Sequence, residues 1–138
     1  MRFIEVEHKF VVPPGFDLDQ FARTLARLGE PRLTAIRVRD RYYLTGPGQR
    51  DRYVIRHRFD DELQQLTIKS LTDDTAVRDE INLDLGHHAG DQADAVEAFV
   101  GRMGVTWSGE IRKDLRVWAY PDCEVVHYVA TAGDHRVA

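Results

Sequence analysis

The sequence has 138 residues, of which 43% are hydrophobic and 30% charged, and this is typical of one soluble globular domain with its own core. The net charge of −4 argues against a general nucleic-acid-binding protein, because such proteins carry a basic surplus. No stretch approaches the roughly 18 apolar residues of a membrane span. The single Cys123 excludes an internal disulfide, so we expect a cytoplasmic protein.

The N-terminal half begins with a predicted strand at residues 2–10, which the Pro-Pro-Gly of residues 13–15 interrupts. Asp17 is then the predicted N-cap of a helix, because Gln20 follows three residues later, and Gly29 ends that helix. Alternating apolar and polar residues separated by turn residues predict four further strands, at residues 35–45, 51–59, 64–70 and 76–85.

The C-terminal half begins with a second predicted helix at residues 91–103, ended by Gly104. Two strands at residues 109–119 and 123–131 follow, with a short stub at residues 135–138. No repeat or linker divides the chain, so we expect a single domain over residues 1–138. Six to eight strands joined mostly by hairpins, together with two helices, predict an α+β fold with an antiparallel sheet or barrel.

The predicted strands divide by alternation into an ionic face and an apolar face. In the strand at residues 51–59, Arg56 and Arg58 lie on one face, whereas Ile55 and His57 lie on the other. The same alternation in the other strands gives these ionic faces: Glu5, Glu7 and Lys9; Gln65, Thr67 and Lys69; Arg78, Glu80, Asn82 and Asp84; Glu110, Arg112, Asp114 and Arg116.

Such an ionic face has two interpretations: one side of an open sheet in water, or the lining of a closed polar cavity. Lys accounts for only three of the 19 basic residues, whereas solvated faces usually carry abundant Lys. Arginine is favoured where planar, multi-donor recognition of phosphate or carboxylate matters. An anionic ligand bridged by a metal would also offset the mutual repulsion of these cations. From the residues alone, both interpretations remain open.

Glu5 and Glu7 form a candidate metal-binding pair. They lie two residues apart on a predicted strand, which places their Cβ atoms about 6.5–7 Å from each other. Two such carboxylates suit a hard divalent cation that keeps several waters. Lys9 follows on the same face and would contact the ligand of that cation.

Several of these segments resemble motifs of a known family, the CYTH domain or triphosphate tunnel metalloenzymes. The opening IEVEHKF resembles the family's ExExK motif and is closest to thiamine triphosphatase-like members. RDRYYLT is similar to the D-x-Y-Y/F-D-T segment, IRHR to Arg-x-Arg, LTIK to the strand ending in Lys, and VRDE to Arg-x-Glu. The resemblance extends over residues 2–85. The family includes thiamine triphosphatases, inorganic tripolyphosphatases and class IV adenylate cyclases.

The resemblance implies an α+β fold in which an antiparallel eight-stranded β-barrel, complete or incomplete, forms a charged tunnel with helices packed outside. It implies Mg²⁺ or Mn²⁺ held by Glu5, Glu7 and Glu80, with Lys69 and Glu80 in catalytic roles. The resemblance and the alternation along the strands together give these expected substrate-binding residues: Lys9, Arg56, Arg58, Lys69, Arg78, Arg112, Arg116 and Tyr42.

The sequence also departs from the family pattern. Leu44 stands where the family usually has Asp, and Asn82 stands where a second Glu would complete Arg-x-Glu-x-Glu. The family's Lys-x-Arg pair is not clearly present: Lys113 lies on the same side of its strand as the apolar residues, and Leu115 stands at the expected Arg position. Arg112 or Arg116 is therefore expected to substitute. The family's final Glu-x-Glu strand is missing, which indicates either a truncated chain or an incomplete tunnel.

The resemblance and the departures lead to three functional hypotheses. The first is a metal-dependent hydrolase of tripolyphosphate, thiamine triphosphate or a nucleoside triphosphate. The second is a phosphate-binding or polyphosphate-binding module that has lost catalysis, and the third is a class IV-type adenylate cyclase. In each case the expected partner is a small-molecule phosphate compound, with no nucleic acid or membrane, and the chain is expected to be a monomer or a homodimer.

Overall fold

The computed structural model describes residues 1–60, 64–74, 76–86 and 92–137. Eight strands and three helices make up this part of the chain. In chain order they are β1 (Arg2–Val6), α1 (Leu18–Ala26), β2 (Arg32–Thr45), α2 (Gly46–Asp51), β3 (Tyr53–Phe59), β4 (Gln64–Ser70), β5 (Val77–Gly86), α3 (Gln92–Gly101), β6 (Val105–Ala119), β7 (Glu124–Ala132) and β8 (His135–Val137).

The strands form one antiparallel sheet in the order β1-β5-β4-β3-β2-β6-β7-β8. The two long strands β2 and β6 pair along almost their whole length, from Arg32 opposite Ala119 to Thr45 opposite Val105. Strands β1 and β8 are the two edges, and no pairing joins them among the described residues. The prediction of an eight-stranded antiparallel sheet is therefore confirmed, in its unclosed form.

The helices begin and end close to the predicted positions. Asp17 caps α1 as expected, since its Oδ1 accepts a hydrogen bond of 2.9 Å from the backbone N–H of Gln20. Helix α3 lies inside the predicted range of residues 91–103, although Asp91 itself lies outside the described residues. Residues 46–50, expected as a turn, lie with Asp51 in the short helix α2, where the Thr45 hydroxyl accepts a hydrogen bond from the backbone N–H of Gly48.

The apolar core lies on one side of the sheet, which we call the outer face. Tyr43 and Ile55 of the sheet pack there against Val96 and Val100 of α3, and all four are buried. At the other end of the sheet, α1 packs through Phe21, whose ring meets the Trp118 ring edge-on with centroids 5.9 Å apart. Both helices thus cover the outer face and leave the opposite face to be enclosed by the sheet itself.

That opposite face, which we call the charged face, collects side chains from neighbouring strands. Directly paired residues project to the same side of a sheet, so the register decides which side chains meet. The pairs that lie on the charged face are Glu5 with Arg78, Glu80 with Lys69, Asn82 with Thr67, Thr67 with Arg56, Arg56 with Tyr42, and Arg58 with Asp40.

No helix of the described residues combines the length and the apolar composition that crossing a membrane would require.

Candidate functional site

The charged face is enclosed rather than open to water. Arg56 and Lys69 are each only 8% exposed, Glu80 is 3% exposed, and Asp40 is fully buried. Charged side chains are almost never buried to this degree unless they are paired. Since the two packed helices lie on the outer face, this burial requires the sheet to curve around its charged side. Of the two interpretations of the ionic faces, the structure therefore supports a face shielded from water over one side of an open, solvated sheet.

The acidic end of this face is built around the ammonium group of Lys69. Its Nζ donates a short hydrogen bond to Glu5 Oε1 and lies 3.3 Å from Glu80 Oε2 and 3.6 Å from Glu7 Oε1. Burial by itself lowers the pKa of Lys69. The hydrogen bond to Glu5 and the charges of Glu80, Glu5 and Glu7 outweigh burial and raise that pKa above its ordinary value. Lys69 is thus a fixed cation among three carboxylates.

The middle of the charged face is occupied by Arg56. Its guanidinium lies 3.8 Å from Glu80 Oε1 and donates a 3.3 Å hydrogen bond to the Thr67 hydroxyl. Thr67 in turn donates to the side-chain oxygen of Asn82 at 2.6 Å. The Nε of Arg56 is buried and donates to no described residue. One donor of this guanidinium is therefore free to bind an anion.

The basic end is organised by Asp40. Both of its carboxylate oxygens accept hydrogen bonds from Arg58, at 2.7 and 2.8 Å, and Lys113 Nζ lies 2.9 Å from Oδ2. Burial raises the pKa of Asp40. Arg58 first and Lys113 second outweigh it, and together they lower the pKa to about 2. The carboxylate therefore stays ionised and holds both cations in place.

The prediction for β6 was wrong about which face its charged residues occupy. Arg112 pairs with Arg39 on the outer face, and its side chain is 72% exposed; Arg116 lies on the same outer face. Lys113, which alternation had assigned to the apolar side, points into the charged face and lies 3.4 Å from the Tyr42 hydroxyl. The register with β2 decides this, because it brings Lys113 next to the buried Asp40.

Three other predicted substrate residues differ in their surroundings. Tyr42 lies on the charged face opposite Arg56. Arg78 lies opposite Glu5, and its Nε is buried with no hydrogen-bond partner among the described residues. Lys9 lies beyond the end of β1, which stops at Val6; its side chain is 56% exposed and pairs with Glu7 at 2.7 Å. Lys9 is therefore at the rim of the charged face.

Asp40 and Lys113 are site residues to which the sequence had assigned no function. A signal existed for both of them. Asp40 opens the Asp-x-Tyr-Tyr segment, and Lys113 is one of only three lysines in the chain.

The family model for the CYTH domain matches residues 4–129 of this chain. The chain belongs to the CYTH family. CYTH proteins include triphosphatases and adenylate cyclases, and they are generally dependent on divalent metals. A crystal structure from Bacillus halodurans, described as a candidate adenylate cyclase, is similar to this chain with a TM-score of 0.49 and 12% identity, covering 99% of this chain and 75% of that one. No curated protein matches the sequence.

The carboxylates of this CYTH chain can be tested for their fit to a divalent metal. Across residues 1–60, 64–74, 76–86 and 92–137, no three His, Cys, Asp or Glu side chains are grouped as a metal centre of their own. Glu80 Oε2 is nevertheless buried and accepts no hydrogen bond from a described residue, and Glu5 contacts the same Lys69 ammonium. Mg²⁺ typically takes one or two carboxylates and completes its shell with waters and phosphate oxygens. The donors fit a cation shared with a phosphate ligand.

Proposed function

We propose that this chain is a divalent-metal-dependent hydrolase of a triphosphate compound, which binds on the charged face of the sheet. The observation that carries this proposal is the buried group formed by Arg56, Lys69 and Glu80. Fixed guanidinium and ammonium groups beside carboxylates, away from bulk water, form an environment that stabilises charge transferred between phosphate oxygens.

The cations of the charged face would bind and orient the phosphate chain. Arg56 offers its unpaired Nε, and Arg78 offers a second unpaired Nε on the neighbouring part of the sheet. Arg58 and Lys113 are held by Asp40, so they keep their positions when the ligand arrives. Such preorganisation lowers the cost of stabilising the transition state, because these groups need not move during the reaction.

Glu5, Glu7 and Glu80 would hold Mg²⁺ or Mn²⁺ together with phosphate oxygens of the substrate. When bound, the cation supplies charge neutralisation of the triphosphate and polarises the scissile phosphoryl group. Since the three carboxylates surround Lys69, that ammonium would stay beside the metal and contact a phosphate oxygen.

Hydrolysis requires a water molecule and a group that accepts its proton. The water oxygen forms a bond to the terminal phosphorus, the bond to the bridging oxygen breaks, and the electron pair of that bond leaves with the diphosphate part. We assign the proton to the buried Glu80 carboxylate, which can hold the cation through Oε2 and accept the proton through Oε1, 3.8 Å from Arg56. Lys69 and Arg56 would stabilise the negative charge on the leaving oxygen.

A phosphate-binding module without turnover is the second candidate. The specific observation in its favour is Asn82, which replaces a carboxylate of the family pattern and accepts the Thr67 hydrogen bond at 2.6 Å. An amide carries no negative charge for a metal, so the metal would depend on fewer acidic ligands. A class IV-type adenylate cyclase is the third candidate.

Phosphate release from tripolyphosphate, thiamine triphosphate and ATP, with Mg²⁺, Mn²⁺ or EDTA, separates these candidates. We expect metal-dependent release that is lost in Glu5→Gln and Lys69→Ala but retained in Glu97→Gln, a charge-matched change at an exposed side chain of α3. Tight metal-dependent binding with no product would favour the binding module, and cyclic AMP from ATP would favour the cyclase. Equal loss in all three variants would contradict the assignment of the site.

A further inference from the structure

Three arginines form a row across the outer face of the sheet, on the side opposite the proposed active site. Arg39 of β2 is directly opposite Arg112 of β6, Arg112 is opposite Thr131 of β7, and Thr131 is opposite Arg136 of β8. The row spans four neighbouring strands, or about 14 Å at the usual strand spacing. We call these three arginines and Thr131 the arginine row.

The arginine row has little charge compensation. Like charges placed directly opposite each other destabilise a sheet, as the Arg39–Arg112 pair must. Among the ion pairs of the described residues, Arg112 has only a 3.7 Å approach to Glu110, and Arg39 and Arg136 take part in none. Arg39 is held in place instead by Phe59, whose ring centre lies 4.2 Å from its guanidinium carbon.

Two adjoining open depressions lie along the arginine row, with volumes of about 770 and 540 Å³. Both are lined by Arg37, Asp60 and Asp114, and the larger one also by Arg116 and Arg136. Asp114 is engaged by Arg37 at 2.9 Å. The lining is therefore rich in arginine, although the whole chain carries a net charge of −4.

We propose that the arginine row is a second anion-binding site, which binds a linear inorganic polyphosphate chain along the outer face. Guanidinium groups recognise phosphate through paired hydrogen bonds, and a chain with a charge on every unit matches a row of cations. Single-stranded nucleic acid would need an exposed aromatic surface for base stacking. The Phe59 ring of the lining is 7% exposed and covered by Arg39, and the His127 ring of the larger depression is stacked on Phe16.

This site uses side chains other than Arg56 and Lys69, which lie on the charged face; Lys113, which contacts Asp40 there, also lines the smaller depression. Arg112 points outward, whereas its neighbour Lys113 points into the charged face. A ligand on the arginine row therefore does not need to contact Arg56 or Lys69. Loss of one site should leave anion binding at the other, which makes the two proposals separable.

Binding of long-chain polyphosphate, measured by calorimetry in EDTA, tests the proposal. The test variant is Arg112→Gln/Arg136→Gln, which leaves the Arg39–Phe59 contact intact. The control is Arg50→Gln/Arg102→Gln, which removes the same charge from exposed positions in α2 and just beyond α3. We expect the test variant to bind at least about tenfold more weakly than the control, and its affinity to depend less steeply on salt. Melting temperatures of both variants verify folding.

The Lys69→Ala variant provides the second comparison. We expect Lys69→Ala to retain most of the affinity for the long chain, because that residue belongs to the charged face. Equal binding by the test and control variants would overturn the proposal, and so would loss of long-chain binding in Lys69→Ala alone. Equal or tighter binding of single-stranded RNA or polyglutamate, with the same dependence on Arg112 and Arg136, would overturn the choice of polyphosphate.

Discussion

The two faces of strands β2 and β6 carry similar charges in opposite settings. On the charged face, the fully buried Asp40 binds Arg58 and Lys113. On the outer face, Asp114 binds Arg37 at a similar distance of 2.9 Å, but its side chain is 64% exposed and that of Arg37 is 90% exposed. The same kind of ion pair therefore occurs twice on one pair of strands, once away from water and once in it.

The difference shows that burial, rather than residue type, distinguishes the ion pair of the charged face from the ion pair of the outer face. A buried charge that loses its partner keeps its desolvation cost, whereas an exposed charge is rehydrated. Removing one partner of an ion pair on the charged face is therefore expected to destabilise the protein, because the other partner stays away from water. An exposed arginine of the outer face can leave its carboxylate partner at little cost, for water or for a bound anion.

The largest effect is expected from Asp40→Asn, which deprives Arg58 and Lys113 of the fully buried counter-charge that they share. We expect a loss of about 3–5 kcal/mol in the free energy of unfolding. Asp114→Asn should cost less than about 1 kcal/mol, because its pair with Arg37 is exposed. Urea unfolding of both variants measures the difference. Similar losses of unfolding free energy in the two variants would show that burial does not determine how much an ion pair stabilises the protein.

The next effect concerns the rate of the proposed reaction. Arg56→Gln removes a buried guanidinium that would contact the phosphate chain, and we expect kcat/KM to fall roughly 10²–10³-fold, as for other preorganised donors. Arg102→Gln is the matched control, since Arg102 is exposed beyond the end of α3. Initial rates with each triphosphate give the comparison. A fall in kcat/KM of the same size in the control would show that the loss does not come from the charged face.

A smaller effect is expected from acid. The pKa of Asp40 is lowered from 3.8 to about 2 in the folded state, so its ion pairs stabilise the protein above pH 3.8 and are lost as the pH falls through 2. The contribution is about 2.5 kcal/mol. Urea unfolding at pH 6, 4 and 3 in wild type and Asp40→Asn should show a gap that narrows as the pH falls. A constant gap would contradict the assigned pKa.

A smaller effect again is expected from an ion pair whose burial lies between those of the Asp40 and Asp114 pairs. Arg41 and Glu110 lie on the outer face 2.9 Å apart, with side chains 29% and 30% exposed. A double-mutant cycle with Arg41→Gln and Glu110→Gln should give a coupling of about 0.5–1 kcal/mol that weakens in high salt. A coupling as large as the loss expected for Asp40→Asn would show that the strength of an ion pair does not depend on its burial.

Much of the fold could be predicted because helix caps and strand alternation are patterns of residues that are close together in the sequence. Asp17 with Gln20 marked the start of α1, and alternation of apolar and polar residues marked the strands. Element ends were less accurate. Strand β1 stops at Val6 instead of Phe10, and residues 46–50, predicted as a turn, belong to α2. Ends depend on contacts with other elements, which the local pattern does not contain.

The site was predicted best where one strand presented an unbroken ionic face. Arg56, Arg58, Lys69, Glu80 and Glu5 all lie on the charged face, as their alternation indicated. Their functional roles remain predictions. The alternation failed on β6, where Arg112 and Arg116 are outside and Lys113 is inside, because both faces of that strand carry charge and its apolar residues did not mark the helix-covered side.

The sequence by itself determined which residues alternate along each strand, because the two-residue period of a strand is a local property of the backbone. Only the tertiary structure decided which of the two faces is enclosed, since enclosure depends on the curvature of the whole sheet and on where α1 and α3 pack. It also decided that Asp40 and Lys113 meet. Their contact joins residues 73 positions apart in the chain, and it exists only through the register between β2 and β6.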